Sequence, residues 1–154
     1  MRAPRWGDLR SAERIAAAGA LIAAGSLLLP WYGIELELFG GFSQSGLEAF
    51  NFGHAALLVT ALGALAVVWA CAAGHRPPRP LGEGGLLIAA GCWAAAIVTY
   101  LAVDRPDDIV GFTNVRLRYG IFAAFGGAGA ILSGGLRLRQ APREGEASGA
   151  PTAV

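Results

Sequence analysis

The sequence is poor in charge and lacks the common motifs of catalysis. Only 15% of its 154 residues are charged, whereas a soluble domain carries about 25%. Lysine is absent, since all twelve basic residues are arginine, and the net charge of +1 argues against a nucleic-acid surface. There is no C-x-x-C pair and no H-E-x-x-H, P-loop or G-x-S-x-G pattern. We therefore expect neither an enzyme nor a cofactor, and no nucleic-acid partner.

Residues that could hold a metal are few and separated. Cys71 and Cys92 lie on either side of a predicted helix hairpin, at different depths, so a disulfide is not expected. His54 and His75 are predicted on opposite membrane faces, where they cannot share a metal. Glu83 begins a predicted helix, whose positive end favours a carboxylate; the alternative is a role in transport. The sequence thus predicts no metal site.

Four long apolar runs raise the mean hydropathy to +0.51. Each is close to the roughly 20 residues that a helix needs to cross a bilayer, and none has Asp, Glu or Arg well inside it. Apolar residues occupy every helical face, which is typical of helices surrounded by lipid. The predicted fold is an all-α membrane protein, an antiparallel bundle of four transmembrane helices, with four buried helices of a soluble protein as the alternative. The runs are Ile15–Tyr32, His54–Ala73, Gly84–Val103 and Tyr119–Leu136.

These runs divide the chain into three parts. Residues 15–136 form the predicted transmembrane domain, which includes outer loops at 33–53 and 104–118. Residues 1–14 are a cytoplasmic flank. The tail, residues 137–154, is rich in Pro, Gly, Ala and Ser and is predicted to be disordered.

Arginine positions predict the orientation. Only Arg105, Arg116 and Arg118 fall in an outer loop. The positive-inside rule therefore places both termini in the cytoplasm of a multi-pass protein of the cell membrane. The first run is interpreted as an uncleaved signal anchor, because the bulky "LPWYG" that ends it offers no cleavage site. The remaining nine arginines are Arg2, Arg5, Arg10, Arg14, Arg76, Arg79, Arg137, Arg139 and Arg143.

The first outer loop has the pattern of a β-hairpin. "IELELF" alternates apolar and acidic residues, and a glycine pair separates it from "FSQSGLEAF". This predicts strands at 34–39 and 42–47, joined by a two-residue turn at Gly40 and Gly41. The second outer loop alternates from Val115 to Arg118 and could add a third strand. We expect a small extracytoplasmic hairpin or three-stranded sheet.

Opposite charges suggest how these strands pair. Glu35 and Glu37 lie in the first predicted strand, and Arg116 and Arg118 lie in the third. Cross-strand pairs between them would set the register, with each exposed pair worth about 0 to 1 kcal/mol. The alternative is that the acidic face binds a cation or a basic ligand.

Aromatic residues cluster at the predicted outer boundary. An aromatic belt at headgroup level explains them, and an aromatic cage for a ligand is the alternative. Trp31, Tyr32 and Tyr100, together with the four charged residues above, make the candidate ligand or partner surface. The boundary aromatics are Trp31, Tyr32, Phe50, Phe52, Tyr100 and Tyr119.

Small residues at spacing four predict close helix contacts. Such spacing lets helix backbones approach, and dispersion then stabilises the contact in lipid. Packing within one chain is expected, with oligomer contacts as the alternative. The small residues are Ala16, Ala20 and Ala24 in the first run, with Gly120, Ala124, Ala128, Gly126, Ala130 and Gly134 in the fourth.

Three segments carry a resemblance to a known group. A first helix ending in "LPWY", an outer loop with "SGLEAF" and a last helix "RYGIFAAFGGAGAILSGGLRLR" resemble the small, uncharacterised four-helix integral membrane proteins of actinobacteria, over residues 12–139. The resemblance implies the fold and brings no assigned activity. At fold level the chain is also similar to claudin-like proteins, without their paired loop cysteines.

Two functions fit this sequence. The first is a non-enzymatic scaffold or accessory subunit of a membrane assembly, in contact with membrane lipids and with a membrane-protein partner or a second copy. The alternative is a binder or carrier of lipid, or of an apolar small molecule, at the outer helix ends.

Overall fold

Four helices and three short strands make up the part of the chain that the structure, a computed structural model, describes. That part comprises residues 6–36, 40–49, 51–75, 82–103 and 114–140. The prediction of four helices with a three-stranded sheet is confirmed. A short 3-10 turn, Trp6–Asp8, precedes them. In chain order the elements are α1 (Ser11–Ser26), β1 (Pro30–Leu36), β2 (Gly40–Ser45), α2 (Phe52–Ala72), α3 (Gly82–Val103), β3 (Asn114–Leu117) and α4 (Tyr119–Gln140).

Helices α2, α3 and α4 are long and apolar enough to cross a membrane. They contain 21, 22 and 22 residues, and the mean hydropathy of their most apolar windows is 2.3, 2.2 and 1.4. At 1.5 Å per residue each is about 32 Å long, close to the thickness of a hydrocarbon core. Gly74, with φ +86, ends α2 in the left-handed conformation that glycine adopts freely.

Helix α1 is shorter than the first apolar run predicts. A helix over Ile15–Tyr32 is wrong in extent, because α1 has 16 residues and ends at Ser26. Tight i→i+3 bonds close its last turn, the last from the Leu29 N–H to the Ser26 carbonyl at 3.0 Å. Pro30 then begins β1, since proline has no N–H to continue a helix.

The helices form a ring in which each packs against its neighbours in sequence and α4 also packs against α1. The closest interfaces are those of α4 with α1 and α3. Glycines allow this approach: a Cβ atom at Gly127 would lie 2.7 Å from the Ala23 nitrogen and the Gly19 oxygen of α1. On the α3 side, a Cβ atom at Gly135 would lie 2.7 Å from the Ile88 nitrogen. Helix α4 is thus held backbone to backbone between two partners.

The predicted tracks of small residues are partly right. Gly120, Ala124 and Ala128 are all buried inside the chain. Gly134 faces α1, since a Cβ atom there would lie 2.7 Å from the Ala12 oxygen and 2.9 Å from the Ala16 nitrogen, as intramolecular packing requires. Gly126 is wrong as a contact, because the space around it is open. It is Gly127, one residue further and therefore turned toward α1, that packs there.

The three strands form an antiparallel sheet in the order β2-β1-β3. In β1, Ile34 lies opposite Phe42 on one side and Val115 on the other. The predicted two-residue turn at Gly40 and Gly41 is wrong, because Gly40 pairs with Leu36 and Gly41 with Glu35 inside the ladder. The connection between the strands falls in residues 37–39, outside the described residues.

The second predicted strand also ends early. Strand β2 stops at Ser45, and the next residues form a single helical turn. The Ser45 N–H donates to Glu48 Oε2 at 2.7 Å, and the Glu48 N–H donates to Ser45 Oγ at 3.2 Å. This reciprocal pair is a capping box, so "SGLE" is a helix-start pattern rather than strand sequence.

Candidate functional site

Trp31 and Tyr32, predicted at headgroup level, lie in the core instead. Trp31 is 0% exposed, and its Nε1–H donates to the Ser26 carbonyl at 2.7 Å. Tyr32 is also buried, and its hydroxyl donates to the carbonyl of Leu101, near the end of α3, at 2.9 Å. The belt prediction is wrong for both, because β1 turns back over the bundle and carries them inward. Their bonds fix the sheet to α1 and α3.

Trp31 is closely packed by the described residues around it. The His54 ring lies edge-on to it, with centroids 4.9 Å apart at 63°. Gly120 and Gly46 make space for the indole, since Cβ atoms there would lie 2.6 Å and 2.9 Å from it. His54 is fully buried, and its Nδ1 lies 2.9 Å from Oδ1 of Asn51, the residue that caps α2. An aromatic cage that includes Trp31 is therefore inconsistent with this packing.

Other aromatic and apolar side chains remain exposed at the sheet end of the bundle. Tyr100 and Tyr119 are exposed near the ends of α3 and α4, and Phe52, at the start of α2, is 89% exposed. Leu28 and Val103 are exposed at the same end. We call these five residues the outer rim. Of the predicted aromatic surface, the structure thus leaves Tyr100 accessible and encloses Trp31 and Tyr32.

The predicted charge pairs do not face each other directly. Glu35 lies opposite Asn114, and Arg116 lies opposite Gly33. Glu35 and Arg116 are therefore diagonal neighbours in the ladder, while Glu37 lies outside the described residues. Arg116 and Arg118 are both exposed.

Arg118 is tied to the sheet by its backbone and its side chain. Its N–H donates to the Trp31 carbonyl at 2.8 Å. Its guanidinium lies against Gly33, where a Cβ atom would be 2.5 Å from Nε. Gly33 therefore provides the room that this side chain occupies, and Arg118 helps to cover β1.

A carboxylate at the opposite end of the bundle escaped sequence reasoning. Glu13, in the first turn of α1, is only 5% exposed. Its Oε2 accepts the Arg10 N–H at 2.7 Å, and its Oε1 lies 3.9 Å from Arg10 Nε. In sequence, Glu13 stands beside Arg14 and resembles part of a charged flank. Its place three residues after Arg10, where a carboxylate can satisfy the first free N–H of a helix, is the one available signal.

Glu83 lies in the first turn of α3, as the sequence predicts. Its Oε1 is buried and has no hydrogen-bond partner in the described part of the chain. Glu13, Cys71 and Arg10 are its electrostatic neighbours. The described residues contain no group of three or more potential metal ligands, and both cysteines are free. Glu13 and Glu83 thus place carboxylates at the starts of α1 and α3, and the Cys71 thiol lies beside Glu83.

An apolar cavity of about 470 Å³ lies near this same end. Trp6 and Leu9 of the N-terminal turn and Ala17 of α1 line one side. Leu65, Ala66 and Trp69, from the last two turns of α2, are among the residues that line the other. The volume is within the range of small-molecule sites. The alternative function from the sequence has an apolar ligand at the outer helix ends, whereas this cavity lies at the opposite end of the bundle.

Arg14 holds the wall of the cavity in place. Its Nε–H donates to the Leu9 carbonyl and its Nη2–H to the Gly7 carbonyl, both at 2.9 Å. These bonds fold the N-terminal turn back along α1, which brings Trp6 and Leu9 to the mouth of the cavity. The position of so short a segment beside the cavity depends on these two hydrogen bonds.

Comparisons with known proteins identify no relative. No protein-family model matches the chain, and no curated protein or solved structure matches it. The likeness to actinobacterial four-helix proteins therefore stays a resemblance.

Proposed function

We propose that the protein is a non-enzymatic integral membrane protein that serves as a scaffold or accessory subunit of a membrane assembly. Membrane insertion is supported by how little of the helices the fold itself covers. Only 22% of the apolar window of α2 and 33% of that of α3 are buried. Val59, Leu62 and Trp93 are among the large apolar side chains left exposed along them. Lipid would cover these faces favourably, whereas water would not.

The proposed orientation follows the arginines. Arg10 and Arg14, at the start of α1, lie at the same end of the bundle as Arg137 and Arg139, in the last turn of α4. By the positive-inside rule this end is cytoplasmic, and the sheet is outside. Both termini are then cytoplasmic.

The attachment of the sheet to the helices is the observation that carries the scaffold role. The side chains of Trp31 and Tyr32 bond the sheet to α1 and α3 and so fix its position on the bundle. Around it lies the outer rim of exposed aromatic and apolar side chains. Exposed aromatic and apolar side chains at the same end as the exposed Arg116 and Arg118 have the composition of a protein contact surface.

Topology is the first test. In a variant without native cysteines, Ser43→Cys should react with a membrane-impermeant maleimide in intact cells, because Ser43 is exposed in β2. Ser148→Cys should react only after the membrane is opened. Labelling of position 148 in intact cells would contradict the orientation.

Site-specific crosslinking tests the partner. A photo-crosslinking residue at Phe52 or Tyr100, in the outer rim, should give one defined protein adduct in membranes of the native host. The same residue at Trp93, exposed on α3 away from the rim, is the matched control and should give lipid adducts only. Identical adducts from rim and control positions, or none from the rim, would reject the scaffold role.

The cavity supports a second candidate, a binder of lipid or an apolar small molecule. Its lining of apolar side chains suits hydrocarbon. The outer helix ends, where the sequence places such a ligand, instead hold the packed Trp31 and Tyr32.

A further inference from the structure

The cavity at the arginine end has features that select hydrocarbon. The side chains of Leu9, Ala17, Leu65 and Val68, which line it, are hydrocarbon and offer no polar group to orient a ligand. Within the described ranges, the residues that line the cavity come from three segments: the N-terminal turn, α1 and α2. Its open side therefore faces what surrounds the bundle. In the membrane proposed above, on which this inference rests, that surrounding is lipid.

Depth along α2 indicates which part of a lipid reaches the cavity. Leu65 lies seven residues before the end of α2 at Ala72, about 10 Å along the axis at 1.5 Å per residue. Trp6 and Trp69, 53% and 56% exposed, flank the cavity. Tryptophan at a helix end is typical of the headgroup level. The cavity thus extends from headgroup level into the acyl region.

Arg14 supplies a positive charge at the headgroup end of the cavity. Arg14 lies one turn before Ala17 on the same face of α1, and it is exposed. Two of its five N–H donors bond the Leu9 and Gly7 carbonyls, which leaves three for an anion. Arg10 differs, because Glu13 lies within 3.9 Å of it. Arg14 forms no ion pair in the described part of the chain, so its charge is available to a phosphate.

We propose that the cavity binds one acyl chain of an anionic bilayer phospholipid, whose phosphate contacts the guanidinium of Arg14. The hydrocarbon lining supplies affinity for the chain, and the arginine supplies preference for the anionic headgroup. Because Arg14 also anchors the turn that forms the wall, one residue both shapes the site and contacts its ligand.

Native mass spectrometry of the full chain tests this directly. The protein is reconstituted into vesicles of equimolar phosphatidylglycerol and phosphatidylcholine, extracted in mild detergent, and analysed for retained lipid. We expect one retained phosphatidylglycerol per chain, about fivefold more often than phosphatidylcholine, the factor expected of one arginine near an anionic surface. Equal retention of the two lipids would overturn the proposal.

Two pairs of variants locate the lipid. Ala66→Phe fills the cavity and should reduce retention about tenfold, whereas Ala89→Phe, on the exposed face of α3, should not. Arg14→Gln should abolish the headgroup preference, and Arg14→Lys, which keeps the charge, should preserve most of it. Loss of the preference in Arg14→Lys, or equal effects of the two phenylalanine variants, would refute the site.

Flotation of the vesicles separates this inference from the proposed function. If the chain floats with the vesicles but retains no lipid, the lipid site is refuted and the proposal of an integral membrane protein stands. A chain that does not float refutes both.

Discussion

Replacement of Gly127 by alanine tests one of the closest helix contacts in the described part of the chain. A Cβ atom there would lie 2.7 Å from the Ala23 nitrogen and the Gly19 oxygen, well inside the 3.4 Å at which ordinary contact begins. Both atoms belong to the backbone of α1, so no side chain can rotate away. The variant can be accommodated only if α1 and α4 separate.

The neighbouring Gly126 provides the matched control, since nothing lies within 4 Å of a Cβ atom there. Alanine in place of glycine inside a helix stabilises by about 1 kcal/mol at an open position. Overpacking costs about 1 to 3 kcal/mol. Gly126→Ala should therefore raise the free energy of unfolding. The free energy of unfolding of Gly127→Ala should be lower than that of Gly126→Ala by about 1 to 3 kcal/mol.

The measurement is reversible unfolding of the purified chain in mixed micelles by added SDS, followed by circular dichroism. Gly19→Ala should behave like Gly127→Ala, because its Cβ atom would meet the Gly127 oxygen at 2.7 Å. The double variant should lose less than the sum of the two, since helices already separated are not separated again. Equal stabilisation by Gly126→Ala and Gly127→Ala would refute the close packing of α1 and α4.

Two further predictions concern the sheet end. Tyr32→Phe removes the bond to the Leu101 carbonyl and should cost about 1 kcal/mol in the same assay, while Tyr119→Phe, at an exposed position, should cost nothing measurable; equal losses would deny Tyr32 its anchoring role. The Ser45 N–H, and after it the Ser45 hydroxyl, lowers the pKa of the Glu48 carboxyl below its ordinary 4.5. The bond between the ionised Glu48 carboxylate and Ser45 therefore stabilises the turn above pH 4.5, and this stabilisation is lost as pH falls through the lowered pKa. The Ser45 amide resonance should titrate with a midpoint below 4.5, and Glu48→Gln should abolish this titration. A midpoint at or above 4.5 would contradict the capping box.

Long elements could be predicted because their cause is spread over many residues. The apolar runs at 54–73, 84–103 and 119–136 match α2, α3 and α4 closely. Alternation of apolar and polar residues placed β2 and β3 in the correct loops, but β1 begins at Pro30, four residues before the strand predicted at 34–39. The patterns of these three helices tolerate an error of one or two residues without changing the element.

The site could not be predicted in the same way. "PWY" at the end of an apolar run fits both an interfacial belt and a core strand, because burial depends on whether Pro30 begins a strand that folds back over the bundle. Ser45 and Glu48 have the capping-box spacing, but alternation in the preceding residues favoured a longer strand. No sequence pattern marks the cavity, because the N-terminal turn and α2, which line it, are distant in sequence. The turn lies beside α1 because Arg14 fixes it there.

The place of α4 in the ring sets the order in which the protein can be completed. A ribosome synthesises α1, α2 and α3 before α4, yet the tightest interfaces of both α1 and α3 are with α4. Strand β3, which directly precedes α4, also supplies the second partner of the central strand β1. Packing of this one late helix therefore closes the bundle and the sheet together. Until then the glycine faces of α1 and α3 are open, so the nascent chain without α4 exposes the surfaces that the finished protein packs most closely.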